Sequence, residues 1–352
     1  MCQSLSNGNR GRTITLSEAV GSVLAHDITE IRPGEFKGAA FKKGHVVTEA
    51  DLDHLTRLGK RHLHVLDLPP DMLHEDDAVL VLAEALAGGG VTYDPHPSEG
   101  KINLIAERDG LFKVDVAALT EFNLVEGVMC ASRHTNTLVR RGETLAGTRA
   151  IPLVIERDMV DRAADEARRA GGVFSVRKLD STEVGLIVTG NEVYTGLIQD
   201  RAAPSLVPKI EALGARMLET VFAPDDPDFI AARLLELISA GAGLVVATGG
   251  MSVDPDDVTR LGVIKAGARD VLYGSAVLPG AMLMLARVRN VPVIGVPACV
   301  IHHDQTIFDL VLPRILAGES LTRRDLAAMS HGGLCLSCPE CRYPVCPFGK
   351  TG

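Results

Sequence analysis

The chain is 352 residues long, more than one hydrophobic core ordinarily serves, since single cores stop growing near ~250–300 residues, so two or three domains are expected. A composition of 46% apolar and 23% charged residues excludes wholesale disorder. Lys and Arg total 36 against 45 Asp and Glu, a net charge of −9, with 4% aromatics and no tryptophan; this excludes a general phosphate-backbone binder and a stacking surface for single-stranded nucleic acid.

In chain order, Met1 to Arg12 is polar and lacks the apolar core of a signal peptide, so a cytoplasmic location is expected. Thr13 to Leu68 reads as short strand, helix, strand. Thr48 and Asp51 make a capping-box-like start, Leu52, Leu55 and Leu58 a helical stripe, and Gly59 the stop. Asp67 to Asp77, with Pro69 and Pro70, reads as a linker. A helix is expected over Ala78 to Ala87, closed by three glycines, then strands near Lys101–Ala106, Gly127–Ala131 and Thr137–Val139. A charged helix follows from Ile155 to Ala170, its charges read as a solvated face. His62, His64, His96 and His134 lack partners at metal-ligand spacing and read as surface or core residues.

From Glu183 the pattern becomes regular. Val184–Thr189 is a continuous apolar run, as in a strand buried on both faces of a parallel sheet. Leu206, Ile210 and Leu213 follow at helical spacing, and Met217–Phe222 is the next strand. Asp225 or Asp226 caps a helix bearing Ile230, Leu234 and Leu237, and Leu244–Thr248 is a third strand. Val291–Val296 is a later strand, and Ile307, Leu310, Val311 and Ile315 line a last helix. This alternation predicts an α/β fold with a doubly wound, mostly parallel sheet, preceded by smaller mixed α+β domains. Expected boundaries are 1–75 and 76–177 for the small α+β and mixed α+β domains, 178–320 for the α/β domain and 321–352 for a cysteine-rich tail. The most apolar stretch, Val271 to Val300, is interrupted by Gly274, Pro279, Gly280, Pro292, Gly295 and Pro297, so no membrane span is expected.

Ligands in an open parallel sheet bind beyond the carboxyl ends of the strands. Those ends run into Thr189-Gly190-Asn191-Glu192, into Thr248-Gly249-Gly250-Met251-Ser252-Val253 with Asp257 shortly after, into Pro279-Gly280 and into Pro297-Ala298-Cys299. Glycines admit close backbone approach, hydroxyls on Thr189, Thr248 and Ser252 add donors, and Glu192 and Asp257 offer oxygen ligands for Mg²⁺. The same glycines and acids also occur as plain turns and helix caps. No Gly-x-Gly-x-x-Gly follows a strand, and Gly349-Lys350-Thr351 lacks the earlier glycine of a phosphate loop, Pro344 standing there.

Taken together, the first two loops resemble those of the molybdopterin-binding domain of molybdenum cofactor biosynthesis proteins, over about residues 184 to 318. The arrangement is similar to the molybdopterin molybdenumtransferases, which carry further domains before that module. The resemblance implies a crevice for molybdopterin, bare, adenylylated or metallated as molybdenum cofactor, and chemistry in which Mg²⁺ assists cleavage of the adenylylated pterin and insertion of molybdate. Glu192 and Asp257 take the catalytic acid positions. By the same resemblance, Thr189, Gly190, Asn191, Thr248, Gly249, Gly250, Ser252, Pro279, Gly280, Pro297 and Cys299 are expected to line the cofactor. Relatives are often dimers, so the resemblance implies a homodimer, with a molybdoenzyme or another cofactor-assembly protein as partner, and neither nucleic acid nor membrane. Two departures bear on catalysis. The family's Pro-Gly-Lys-Pro turn is Pro279-Gly280-Ala281-Met282 here, without the lysine, and the segment after Leu316 leaves no room for the transferases' C-terminal β-barrel-like domain. A non-catalytic pterin carrier or sensor is therefore the alternative. Cys299 reads either as a soft ligand contact or as a small apolar filler.

Of seven cysteines, Cys335, Cys338, Cys341 and Cys346 crowd the tail. Their spacing is close to the ferredoxin run Cys-x₂-Cys-x₂-Cys-x₃-Cys-Pro, with one extra residue before the fourth. An Fe–S cluster is the first expectation, and Zn²⁺ held by these thiols, or by three of them with His331, the rival.

Overall fold

The computed structural model of the protein describes residues 11–32, 36–66, 69–98, 100–251 and 258–350. Asp257 and Ser252, two of the expected site residues, lie outside them. The chain divides into two compact units that interleave along the sequence.

The first unit takes Met1–Ile105, Asp115–Ser132 and Thr144–Phe174. Its start is an antiparallel sheet in which His62–Leu66 lies between Gly11–Thr15 and Val23–Leu24. Leu52–Arg57 is the helix read from the leucine stripe, and its Leu55 is fully buried with Leu24, Leu63 and Val65. The expected cap forms: the Thr48 backbone N–H and Oγ1 both donate to Asp51 Oδ2, at 2.8 and 2.7 Å. A second sheet runs in the order Val128–Ser132, Thr144–Ala150, Lys101–Ala106, Val91–Tyr93. The helices Glu75–Leu86 and Arg157–Arg169 bury small apolar faces, Ala78 and Ala83 in one and Ala163, Ala164 and Ala167 in the other.

Two expectations shift here. The linker read over Asp67 to Asp77 contains a strand, Met72–His74, and its end opens the Glu75–Leu86 helix. Likewise Ile155 begins no helix but sits in the strand Val154–Glu156, and the helix starts at Arg157. The cause is one non-local pairing, Leu73 opposite Ile155, which three-residue runs do not announce in the sequence.

The second unit takes Ala106–Val114, Arg133–Glu143 and Ser175–Gly352. It holds the six-stranded sheet, in the order Arg216–Ala223, Glu183–Thr189, Leu244–Thr248, Val291–Val296, Met284–Val288, Arg269–Tyr273. The first four strands are mutually parallel, and Met284–Val288 runs antiparallel to both of its neighbours, Val291–Val296 and Arg269–Tyr273. Successive side chains of the Glu183–Thr189 strand go to opposite faces. Leu186 and Val188 pack with Leu206, Ile210 and Val311 of the helices Ala202–Glu211 and Ile307–Leu316. Ile187 packs on the other face with Ile230 and Leu234 of Pro227–Ser239 and Val263 of Thr259–Lys265. Helices on both faces of a mostly parallel sheet make this a doubly wound α/β domain, and burying each such aliphatic chain contributes about 1.5–3 kcal/mol.

The tail is docked on this unit. Leu278 N–H donates to Gly333 O and Cys335 N–H to Leu278 O, both at 2.8 Å, and Phe348 is buried in the core shared by the Ile307–Leu316 helix. No helix among the described residues is long and apolar enough to cross a membrane.

Candidate functional site

Three parallel strands end side by side at Thr189, Thr248 and Val296, and a cavity of about 520 Å³ opens beyond them. Its floor includes Thr189, Thr248 and Gly249, and its walls include Asp200, Arg201, Ile301 and His302. This is the strand-end crevice that the topology requires.

The floor is held by buried hydroxyls. Thr189 Oγ1 donates toward Thr248 O at 3.3 Å and shares a hydrogen bond with Thr259 Oγ1 at 2.8 Å, while Thr248 Oγ1 donates to Val296 O at 3.0 Å. Thr189, Thr248 and Thr259 are all buried. Their hydroxyls therefore lock three strand ends together, and what they present to the crevice is a fixed surface with its hydrogen bonds already made.

The glycines set the backbone path. Gly249 has φ +89°, and a Cβ there would lie 2.3 Å from Thr189 O. Only glycine lets the second loop lie this close to the first strand. Gly250 follows at φ +51°, where a Cβ would meet Thr259 Oγ1 at 2.8 Å. The loop is tied further by the Tyr273 hydroxyl, which donates to Met251 O at 2.7 Å, with the Arg260 guanidinium over the same ring at 4.6 Å.

On the first loop, Gly190 has φ +134° and its N–H donates to Ala223 O. Asn191 is clamped to Asp225 in both directions: Asn191 N–H donates to Asp225 Oδ2 at 2.9 Å, and Asp225 N–H to Asn191 Oδ1 at 3.2 Å. That clamp turns the chain into the short helix Asn191–Tyr194 and leaves Glu192 exposed. The Glu192 carboxylate has no hydrogen-bond or ion-pair partner among the described residues; its Oε2 would come within 3.8 Å of a Cβ at Gly190. It is an uncommitted oxygen donor on the loop that closes the first strand.

Pro279 and Gly280 are placed elsewhere. Pro279 O accepts from Ile307 N at 3.1 Å, and a Cβ at Gly280 would strike Ile307 Cγ2 at 2.2 Å, so this turn braces the start of the last helix. Pro297 is buried and begins the short helix Ala298–Ile301. Cys299 on that helix is half-buried, and burial pushes its thiol above the ordinary value, so it is neutral near pH 7. Thus Thr189, Thr248 and Gly249 meet at one cavity, with Gly190, Asn191, Gly250 and Glu192 on its loops.

Sequence reasoning missed Asp200 and Arg201. Asp200 Oδ1 accepts from Ala202 N at 2.7 Å and both its oxygens face Ala203 N, capping the Ala202–Glu211 helix. Arg201 is exposed on the crevice wall, and its guanidinium has no partner among the described residues. The only available signal was position, since both residues stand just before a helix that follows a strand-end loop.

In the tail, Cys335, Cys338, Cys341 and Cys346 all border one smaller cavity of about 200 Å³, together with His302 and His303. All four are free thiols, Cys335 and Cys346 half-buried, Cys338 and Cys341 exposed. Among the described residues no three His, Cys, Asp or Glu side chains are gathered closely enough to hold a metal ion. His331 does not line this cavity.

Residues 185–317 match the family described as a probable molybdopterin binding domain. Residues 13–67 match a domain of unknown function, DUF8806. Among curated proteins the chain is similar to a CinA-like protein of Mycobacterium sp. (strain JLS), 35% identical over 92 residues, which is 26% of this chain and 22% of that protein. The chain therefore spans about a fifth of that relative's length. Among solved structures it is similar to the CinA protein of unknown function from Thermoplasma acidophilum, at 18% identity and TM-score 0.31, covering 33% of this chain and 88% of that one. It is also similar to the molybdopterin biosynthesis enzyme MoaB from Thermus thermophilus, at 16% identity and TM-score 0.34, covering 40% of this chain and 99% of that one. These structural likenesses carry no weight for activity.

Proposed function

We propose that the protein binds molybdopterin in the strand-end crevice and acts in molybdenum cofactor biosynthesis. The observation that carries this reading is the cavity of about 520 Å³ at the carboxyl ends of three parallel strands, within the segment matching the molybdopterin-binding family. The site suits a phosphorylated ring. Gly249 allows the backbone to approach closely, Arg201 and His302 offer donors to phosphate or anhydride oxygens, and Val188, Val193 and Ile198 give apolar wall for the pterin.

Mg²⁺ fits the donor chemistry, because Glu192 is an unpaired hard-oxygen ligand. Glu192 and Asp257 would hold it, and it would supply charge neutralisation at the phosphate anhydride of an adenylylated pterin. The chain's own residues then orient the anhydride through Arg201 and the glycine loop, and the substrate molybdate is inserted between the dithiolene sulfurs. Adenylylated molybdopterin incubated with Mg²⁺ and molybdate is expected to release AMP with wild-type protein. Release should fall at least ~100-fold in Glu192→Gln, the scale of a lost electrostatic stabiliser, while pterin binding persists. Absence of molybdate-dependent release from the wild type would reject insertion.

One observation favours the non-catalytic carrier as second reading. The turn that lacks the family lysine, Pro279-Gly280-Ala281-Met282, is engaged in bracing Ile307. A carrier would bind pterin with no turnover in the same assay. Under either reading the protein works in the cytoplasm as a homodimer, delivering to a molybdoenzyme or another assembly protein.

A further inference from the structure

A second cavity of the sheet domain, of about 450 Å³, lies against the antiparallel strands Arg269–Tyr273 and Met284–Val288. Pro292 and Val293 border it, so it stands at the amino end of the Val291–Val296 strand, whose carboxyl end borders the crevice. No residue lines both cavities. The floor is apolar. Leu272 and Leu285 are direct partners across the two strands, with Ile315 and Leu321 beside them. Two residues along the Met284–Val288 strand, on the same face, Arg287 stands directly opposite Arg269. Such partners hold their Cβ atoms about 4.5–5.5 Å apart, and like charges so placed repel.

The arginines are held but not neutralised. Arg287 Nη1 donates to Asn290 O at 3.2 Å and its Nη2 to Ser320 Oγ at 2.9 Å. Arg323, also on the cavity wall, donates from Nη1 to Gly274 O at 2.8 Å and from Nη2 to Tyr273 O at 2.7 Å. All four acceptors are uncharged, and each guanidinium keeps N–H groups to spare. Among the described residues Arg269, Arg287 and Arg323 have no carboxylate partner. Two acids border the cavity as well. Glu319 is engaged by Lys113 and Arg314, and Asp270 pairs with none of these arginines. Three guanidiniums therefore stand here against one uncommitted carboxylate, above an apolar floor.

We propose that this cavity is a second ligand site, which takes an organic oxyanion with an apolar body. Arg287 and Arg323 grip the head group, and the Ser320 hydroxyl, which accepts from Arg287, has its own proton to donate. Leu272, Leu285, Ile315 and Leu321 receive the body. The anion relieves the repulsion between Arg269 and Arg287, and its bonds to guanidinium are about twice as strong as those between neutral groups. A phosphate monoester and a carboxylate satisfy the same donors. The site is independent of the pterin reading, because it shares no residue with the crevice.

Phenyl phosphate and benzoate are the probes, each titrated calorimetrically into the full-length protein. Inorganic phosphate and benzyl alcohol, which keep only the head or only the body, are titrated beside them. One phenyl phosphate or benzoate per chain is expected, with the tighter of the two identifying the head group. Inorganic phosphate and benzyl alcohol should each bind at least ~10-fold more weakly than that probe. Arg287→Gln and, separately, Arg323→Gln should weaken the probe about tenfold or more. Arg323 is exposed, so its variant carries the test should Arg287→Gln lower the urea midpoint of the free protein. No binding of either probe to the wild type overturns the proposal, as does equal binding of a bare head or body, or wild-type affinity in both variants. Binding that depends on Arg201 rather than on Arg287 and Arg323 would place the probe in the crevice and overturn it equally.

Discussion

Arg201 is where one side chain changes the chemistry of the crevice most. It stands on the crevice wall with no partner for its guanidinium among the described residues, and a guanidinium grips phosphate in a planar fork. Arg201→Gln is expected to weaken binding of phosphorylated pterin about tenfold or more, and to leave binding of the dephosphorylated pterin nearly unchanged. Isothermal titration of both ligands separates the two effects; equal losses would show that Arg201 only shapes the wall. Gly249 is a contrasting case, structural before it is functional. Gly249→Ala places a Cβ 2.3 Å from Thr189 O at φ +89°. Such backbone strain costs about 1–3 kcal/mol, to be read as a lower urea midpoint. These two positions also mark what the sequence discloses at this scale. A glycine after an apolar strand is legible, because only glycine suits that path. Arg201 is not, because its meaning comes from the cavity it borders.

At the scale of elements, the parallel strands were legible because burial on both faces demands unbroken apolar runs, as in Val184–Thr189 and Leu244–Thr248. The antiparallel strands Arg269–Tyr273 and Met284–Val288 carried no such signal. The first is an edge strand with Arg269, Asp270 and Val271 exposed, and the second sits inside a stretch read only as too interrupted for a membrane span. Equally silent was the ion cluster of the second unit, where Glu319 meets Arg314 at 2.8 Å and, from a distant part of the sequence, Lys113 at 2.6 Å. Burial alone would raise the Glu319 carboxyl, but the bonds and charges of Lys113 and Arg314 outweigh it and hold the group below its ordinary value. Burial acts the other way on Lys113, which is held below the ordinary lysine range despite its partner. Because the folded carboxyl is depressed, its contribution is present above the unfolded carboxyl value and is lost as pH falls through the folded one. Glu319→Gln should therefore cost about 3 kcal/mol at pH 7, the scale of breaking a buried pair. The difference from wild type should shrink as pH drops below the ordinary carboxylate range. Urea unfolding of both proteins across that range checks it, and a pH-independent difference would count against the charge argument.

For the whole molecule, the second unit is a sheet domain whose strand ends, glycine loops and docked tail converge on neighbouring cavities with His302 between them. What the crevice binds decides the function of this unit. Titrating purified protein with molybdopterin, following pterin fluorescence, measures that directly. One pterin per chain is predicted, with affinity reduced by Arg201→Gln and by phosphate removal from the ligand. A wild-type protein that takes up no pterin, or takes it up equally well when Arg201 is replaced and the phosphate is gone, would contradict the assignment.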